Sequence, residues 1–322
     1  MRRRILAITF AALILPTIAP ALNVYHLYVV NLCLIYLVAN LGYGLVLGHA
    51  GQISLCQGAF VGLGAYLTAL LSLRLGLPVA VALPLAAAVT AGVGFVLGLP
   101  ALRLSGHYLA LVTLGFNTIF EIVVRVWVSM TNGSYGLKVP KLVLGSVAVT
   151  RDLHFFYLSY GVALLALWVS WNLIRSRVGR ALSAVRGSEI AAVSLGINVA
   201  RAKTLAFSLS ALFGALGGGL FAVTIGLISP DDFGLPKVLR FLTMLVVGGL
   251  GTLWGTVIGT TLLTVLPEAL RFLKDFEELM YGVLLLVSLN LMPRGVAGLV
   301  RDLYHRLLAP ERAFVGSAEE GT

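Results

Sequence analysis

The stretch "GHAGQISLCQGAFVGLGAY" occupies residues 48–66. It lies inside Ile5–Leu73, which holds no Asp, Glu, Lys or Arg. At about 1.5 Å per residue, one helix of that length would run about 100 Å. The hydrocarbon core of a bilayer is only about 30 Å thick. The stretch therefore divides into three crossings with short turns, at 5–22, 24–46 and 57–73. The quoted residues form the second turn and open the third crossing. Apolar runs continue at 78–101, 108–130, 156–174 and 204–228, with shorter ones at 238–250, 252–267 and 279–292. The 322 residues are 59% hydrophobic and 11% charged, against roughly 25% charged in soluble domains. The expected fold is an all-α polytopic membrane protein of about ten transmembrane segments, with residues 1–322 forming one transmembrane domain.

The formal net charge is +10. The basic residues fall mostly between apolar runs, so they read as orientation signals rather than as a nucleic-acid surface. With the N-terminus inside, Arg2, Arg3, Arg4, the basic loop 175–203 and the tail 301–322 are cytoplasmic. Arg74, Lys138, Lys237, Arg240 and the acidic run "DFEE" (275–278) fall outside. Dividing 238–267 into two crossings is what keeps the C-terminal tail inside. The start, "MRRRILAITFAALILPTIAPALN", has the pattern of a signal peptide, with "APA" at 19–21. The spans that follow at once favour an uncleaved first crossing. Cys33 and Cys56 belong to no CxxC or His/Cys cluster, so they read as small core residues, with no disulfide and no metal.

Glycines at four-residue spacing let membrane helices approach closely. Gly251, Gly255 and Gly259 form one such row, as do the pairs Gly58/Gly62, Gly94/Gly98 and Gly214/Gly218. The quoted stretch differs, because Gly48 and Gly51 weaken the helix just where Gln52 and Ser54 can satisfy freed backbone groups. Irregular backbone at membrane depth is tolerated only when buried in protein or lining a wet cavity. A second break, "GGLGTLWG" (248–255), contains Gly248, Gly249 and Gly251. Gly-interrupted segments in both halves point to a translocation path or gate. The other reading of 48–56 is a short cytoplasmic turn, and the residues leave both open.

The loop "RSRVGRALSAVRGSEIAAVSLGINVARAK" (175–203) holds two short helical patterns separated by Gly187 and Ser188. Ser188 can cap the second, Glu189 favours its positive first turn, and Gly196 can end it. A helix of about two turns is unstable alone and must pack on the bundle or on a partner. "GRALSAVRGSEIAAVSLGIN" resembles the cytoplasmic EAA-type coupling loop of ABC importer permeases. "GQISLCQGAFVGLGAY", "YLALVTLGFNTIFEIV", "TNGSYGL", "ISPDDF", "MLVVGGLGTLWGTVIGTTLLTVLPE" and "LMPRGVAGLV" appear along the chain in the order expected of the branched-chain amino acid permeases, LivM type, which the chain resembles. The likeness runs from about residue 30 to 300.

It implies the permease subunit of an importer in a bacterial-type plasma membrane. It also implies a second permease, two cytoplasmic ATPases and a periplasmic or extracellular binding protein. Coupling would fall on Glu189, Ile190, Ala191, Ala192 and Gly196. The loop reads "EIAA" where the motif reads "EAA", and "TNGSYGL" departs from a "TGGSNGL"-like pattern. The chain has no phosphate-binding loop and no Gly-Lys pair, so ATP would be bound by partner subunits. No cofactor and no enzymatic site is expected. Branched-chain amino acids are the implied cargo, with urea or short amides as the alternative.

Glu121 and Arg125 stand four apart in the 108–130 span, where they can pair. Intramembrane charges are costly and mark function. The pair reads either as a structural or gating contact or as a proton-coupling site of a secondary transporter. Asn117 would extend its polar face. His49 and His107 read as helix-end histidines. Asp231 and Asp232 read as a solvated turn or a seat for a binding protein.

Overall fold

The computed structural model describes residues 23–100, 104, 106–139, 143–144, 147–148, 152–269, 277–291, 295–296 and 298. The expected crossing at 5–22 and the tail 301–322 lie outside them. The described helices are α1 (Val24–Gly44), α2 (Gln57–Leu75), α3 (Val79–Gly98), α4 (His107–Val126), α5 (Asp152–Arg175), α6 (Arg177–Gly187), α7 (Glu189–Ser194), α8 (Val199–Ile225), α9 (Leu235–Gly248), α10 (Leu253–Ala269) and α11 (Glu277–Leu291). Six segments are long and apolar enough to cross a bilayer: Val24–His49, α2, α3, α4, Phe155–Arg175 and α8. The shorter α9, α10 and α11 occupy the runs expected at 238–250, 252–267 and 279–292.

The chain is helical with one small departure. Two antiparallel strand pairs appear among the described residues. Leu137–Lys138 (β1) pairs with Leu227–Ile228 (β4), and Val143–Leu144 (β2) with Val147–Ala148 (β3). The first links the segment after α4 to the end of α8, so it ties two loops at the end of the bundle opposite α6 and α7.

α8 is the central helix and packs against α1, α2 and α3. Its sequence explains this, since "GALGGGL" (214–220) removes side chains on several faces at once. In lipid, apolar residues gain nothing by exchanging lipid for protein, so close approach decides association. A Cβ at Gly217 would lie 3.0 Å from the Ile35 carbonyl of α1. One at Gly218 would collide with the backbone of Val61 in α2. On the third side, Gly94 and Gly98 of α3 would each place a Cβ 2.7 Å from Phe207 O and Thr204 Cα of α8. Two of the glycine pairs thus serve two seams of the same helix, Gly214 and Gly218 that with α2 and Gly94 and Gly98 that with α3.

The row Gly251, Gly255, Gly259 does not lie on one helix face as its spacing suggests. Gly251 has φ +81° and sits in the turn before α10. Gly255 and Gly259 instead meet Gly248 and the Met244 carbonyl, which closes the α9–α10 crossing. Inter-helix polar contacts supplement these seams. Asn40 donates to Thr260 Oγ1 at 3.0 Å, and Ser210 donates to Gln57 Oε1 at 2.9 Å while Gln57 donates to Ala39 O at 2.9 Å. Such bonds average only about 0.6 kcal/mol in membranes, so the glycine clearances set the geometry.

Gly218→Val should therefore cost on the order of 2 kcal/mol or more by overpacking, read as a lower melting temperature in detergent. Gly92→Val, where nothing stands within 4 Å of an added Cβ, should melt close to the parent.

Candidate functional site

The break between α1 and α2 is built from irregular backbone that is mostly buried. α1 ends in a π-helical turn, Leu45–His49, and the chain then runs without regular structure to Gln57. Gly48, Gln52, Ser54 and Cys56 are buried. Other elements supply the missing hydrogen bonds. Tyr43 donates to Ser54 O at 2.6 Å. Leu55 N–H donates to Thr113 Oγ1 at 2.8 Å and Ala59 N–H to Asn117 Oδ1 at 2.6 Å. Arg186 Nη1 donates to the Gly48 carbonyl. Two of the expected polar groups act locally. Gln52 donates to Ala50 O at 3.3 Å, and Ser54 Oγ lies 3.1 Å from Cys56 Sγ. Burial pushes the Cys56 thiol up to about 12, against the lowering effect of Ser54, so it stays protonated and unreactive. His49 holds Gly44 O through Nδ1 at 3.1 Å, at the end of the π turn. His107 opens α4 and is exposed.

The second break lies against the first. A Cβ at Gly48 would stand 2.8 Å from the Gly251 nitrogen. Gly249 and Gly251 have φ of +115° and +81°, a region that suits glycine, and this turn reverses the chain from α9 into α10. The structure thus brings together the two breaks, about 200 residues apart. It places them at the α6–α7 end of the bundle.

The loop 175–203 forms α6 and α7. Ser188 Oγ accepts from Ala191 N–H at 3.3 Å, and Gly196 has φ +76° just beyond α7. Lys203 of α8, nearly fully buried, pairs with Glu189 at 2.7 Å. Ala192 is buried, whereas Ile190, Val193 and Leu195 are 83%, 61% and 77% exposed. Ala191 and Gly196 are exposed beside them. Below α7, one buried cluster joins Val46, Ala50 and Cys56 at the break to Leu182 and Val185 of α6, Ala192 of α7, and Ala202 and Phe207 of α8. The loop and the break share a core.

Glu121 and Arg125 pair at 2.8 Å, as their spacing suggests. Arg125 also holds Asp231 at 2.6 Å, so Asp231 is an ion-pair partner as well as a solvated turn residue. Asp232 accepts from Ser229 N–H at 2.8 Å in a capping box. Asn117 does not extend the charged face. It turns into the bundle, where it serves Ala59 and donates to Phe233 O at 3.2 Å. The charged group is remote from the two breaks and forms no common site with them. Sequence reasoning counted Arg186 only as an orientation signal. Its contact with Gly48 spans 138 positions, and no local spacing announces it.

A sequence model described as "Branched-chain amino acid transport system / permease component" matches residues 25–289. The chain belongs to that family. The high-affinity branched-chain amino acid transport system permease protein LivM of Salmonella typhimurium is 34% identical over 297 residues, covering 85% of this chain and 70% of the relative. LivM of Escherichia coli has the same identity and coverage. LivH of Escherichia coli is 28% identical over 285 residues, covering 82% of this chain and 91% of the relative. No solved structure matches. The chain is a multi-pass membrane protein of the permease class, and its relatives are transport subunits rather than enzymes.

Glu189→Ala removes the carboxylate that meets the buried Lys203 ammonium. Lys203 is buried while Glu189 is 42% exposed, and removing the partner of a buried ammonium is destabilising locally. Hydrogen exchange of the 188–196 amides should then rise about tenfold or more through local opening, with the amides of α3 unchanged.

Proposed function

We propose that this permease forms the translocation path of an ABC importer for branched-chain amino acids, driven by separate ATPase subunits that dock on α7. One observation carries the docking assignment. A six-residue helix, capped by Ser188 and held at its first residue by Lys203, turns Ile190 outward at 83% exposure, with Val193 and Leu195 beside it. A helix this short is stable only when fixed by its surroundings. An apolar row presented on a fixed helix fits a groove on a partner.

In this reading the chain crosses an inner membrane about ten times, with both termini cytoplasmic. ATP is bound by the partners and no cofactor by this chain. A second permease completes the path, and an external binding protein delivers the amino acid. The adjoining breaks at Gly48, Gly51, Gln52 and Ser54 and at Gly248, Gly249 and Gly251 lie beside the path as part of its gate. Closure of the motor dimer displaces α7, the shared core moves with it, and the helices meeting at the breaks exchange one packing for another. Glu121 is a structural contact here, because Arg125 pairs with it at 2.8 Å and ties it to Asp231.

The reading is tested by reconstituting the chain with its ATPase, second-permease and binding-protein partners in liposomes. ATP-dependent leucine uptake is expected. Ile190→Asp should lower copurification of the ATPases and uptake by about tenfold, since a charge in an apolar contact costs more than 1.4 kcal/mol. Glu121→Gln should leave uptake largely intact. Uptake by the chain alone, driven by a pH gradient and lost in Glu121→Gln, would overturn it.

A further inference from the structure

We propose that Arg186 is the positioning residue that ties the coupling loop to both glycine breaks, so that displacement of α6 and α7 is delivered to the gate through its guanidinium; this rests on the function proposed above. Arg186 stands in the last turn of α6, one turn after Leu182 and next to Val185, both buried in the core that also holds Ala192 of α7. Its backbone therefore follows α7.

Its side chain leaves that core and crosses the break. A Cβ at Gly51 would lie 2.8 Å from Arg186 Cγ. The guanidinium ends between the two breaks. Nη1 donates to Gly48 O, and an added Cβ at Gly251 would collide with the same nitrogen. Two glycines, Gly51 and Gly251, on segments remote in sequence, thus leave room for one side chain. Gly51 also has φ +67°, which suits glycine, and the three atoms nearest an added Cβ there all belong to Arg186.

The chemistry suits arginine. Gly48 O is among the terminal carbonyls of the α1 helical run, where the helix dipole favours a cation. Guanidinium is charged at every physiological pH and presents several donors on a rigid plane, so it can hold one carbonyl while filling a flat space beside a second segment. A lysine ammonium has the charge without the plane.

The experiment uses the complete transporter in liposomes and measures amino acid uptake per ATP hydrolysed. In Arg186→Met, ATP hydrolysis by the motor subunits should continue while uptake per ATP falls about tenfold, within the range of ordinary coupling free energies. Arg186→Lys should recover part of that ratio, which a purely structural role would not order in this way. Gly48→Ala keeps the Arg186 side chain but forces apart the two segments it bridges, and should uncouple similarly. If Arg186→Met fails to assemble, the same criterion is applied to Arg186→Lys and Gly48→Ala. A ratio within about twofold of the parent in the variants that assemble overturns the proposal, as does a parallel loss of hydrolysis and uptake at constant ratio. If the parent complex itself shows no ATP-dependent uptake, the functional reading has failed instead.

Discussion

A buried backbone N–H or carbonyl left without a partner costs about 1–3 kcal/mol. The rest of this architecture follows from how residues 48–56 meet that constraint. Once Gly48 and Gly51 interrupt the helix, several backbone groups lose their intrahelical partners. Thr113 and Asn117 on α4, Tyr43 on α1 and Arg186 on α6 each supply one bond. Those four residues fix where α4 and α6 stand. Asn117 also reaches Phe233, which anchors the short turn ahead of α9. The break is thus a node to which α1, α4, α6 and, through Asn117, the turn before α9 are fastened.

Different forces hold the two parts of the molecule. Within the spans, exchanging lipid for protein contributes little, so glycine clearances between α8 and its neighbours select the arrangement. The α6–α7 segment is expected outside the hydrocarbon, where burial does contribute. Full burial of Leu182 and Val185 is worth about 1.5–3 kcal/mol each, more than an inter-helix hydrogen bond in the bundle. The loop is therefore attached to the break more firmly than its length suggests. Lys203 adds direction to that attachment, because it grips α7 at its first residue and leaves Ile190, Val193 and Leu195 turned outward.

Much of this was legible in the sequence, and the legible parts share a cause. The spans, the Ser188 cap, the end at Gly196 and the Glu121–Arg125 pair are encoded by residues within one or two turns of each other. The glycine pairs announced close approach, though not to what, since spacing cannot name a partner helix. It misled at Gly251, where a four-residue row looked helical but φ is positive and the residue belongs to a turn. Asn117 was read with Glu121 because they lie one turn apart, yet its amide turns inward to Ala59. The pairing of the two breaks and the reach of Arg186 were invisible, because contacts between positions 48, 186 and 251 leave no periodic trace.

The charged group at the other end completes the mechanical picture. Arg125, Glu121 and Asp231 tie α4 to the turn before α9 with side chains that are 44%, 25% and 71% exposed. Exposed pairs contribute about 0–1 kcal/mol and are weakened by salt. The contacts at the coupling end are buried, dense and partly made by backbone. A displacement applied at α7 thus meets a stiff node first and a soft tie last. Under the coupling proposed above, the load reaches the two breaks first, and the helices meeting there exchange packing before the tie between α4 and Asp231 is strained. On the proposed function, the same ordering lets a six-residue helix carry the load: it would transmit through what it is packed on, without needing stability of its own.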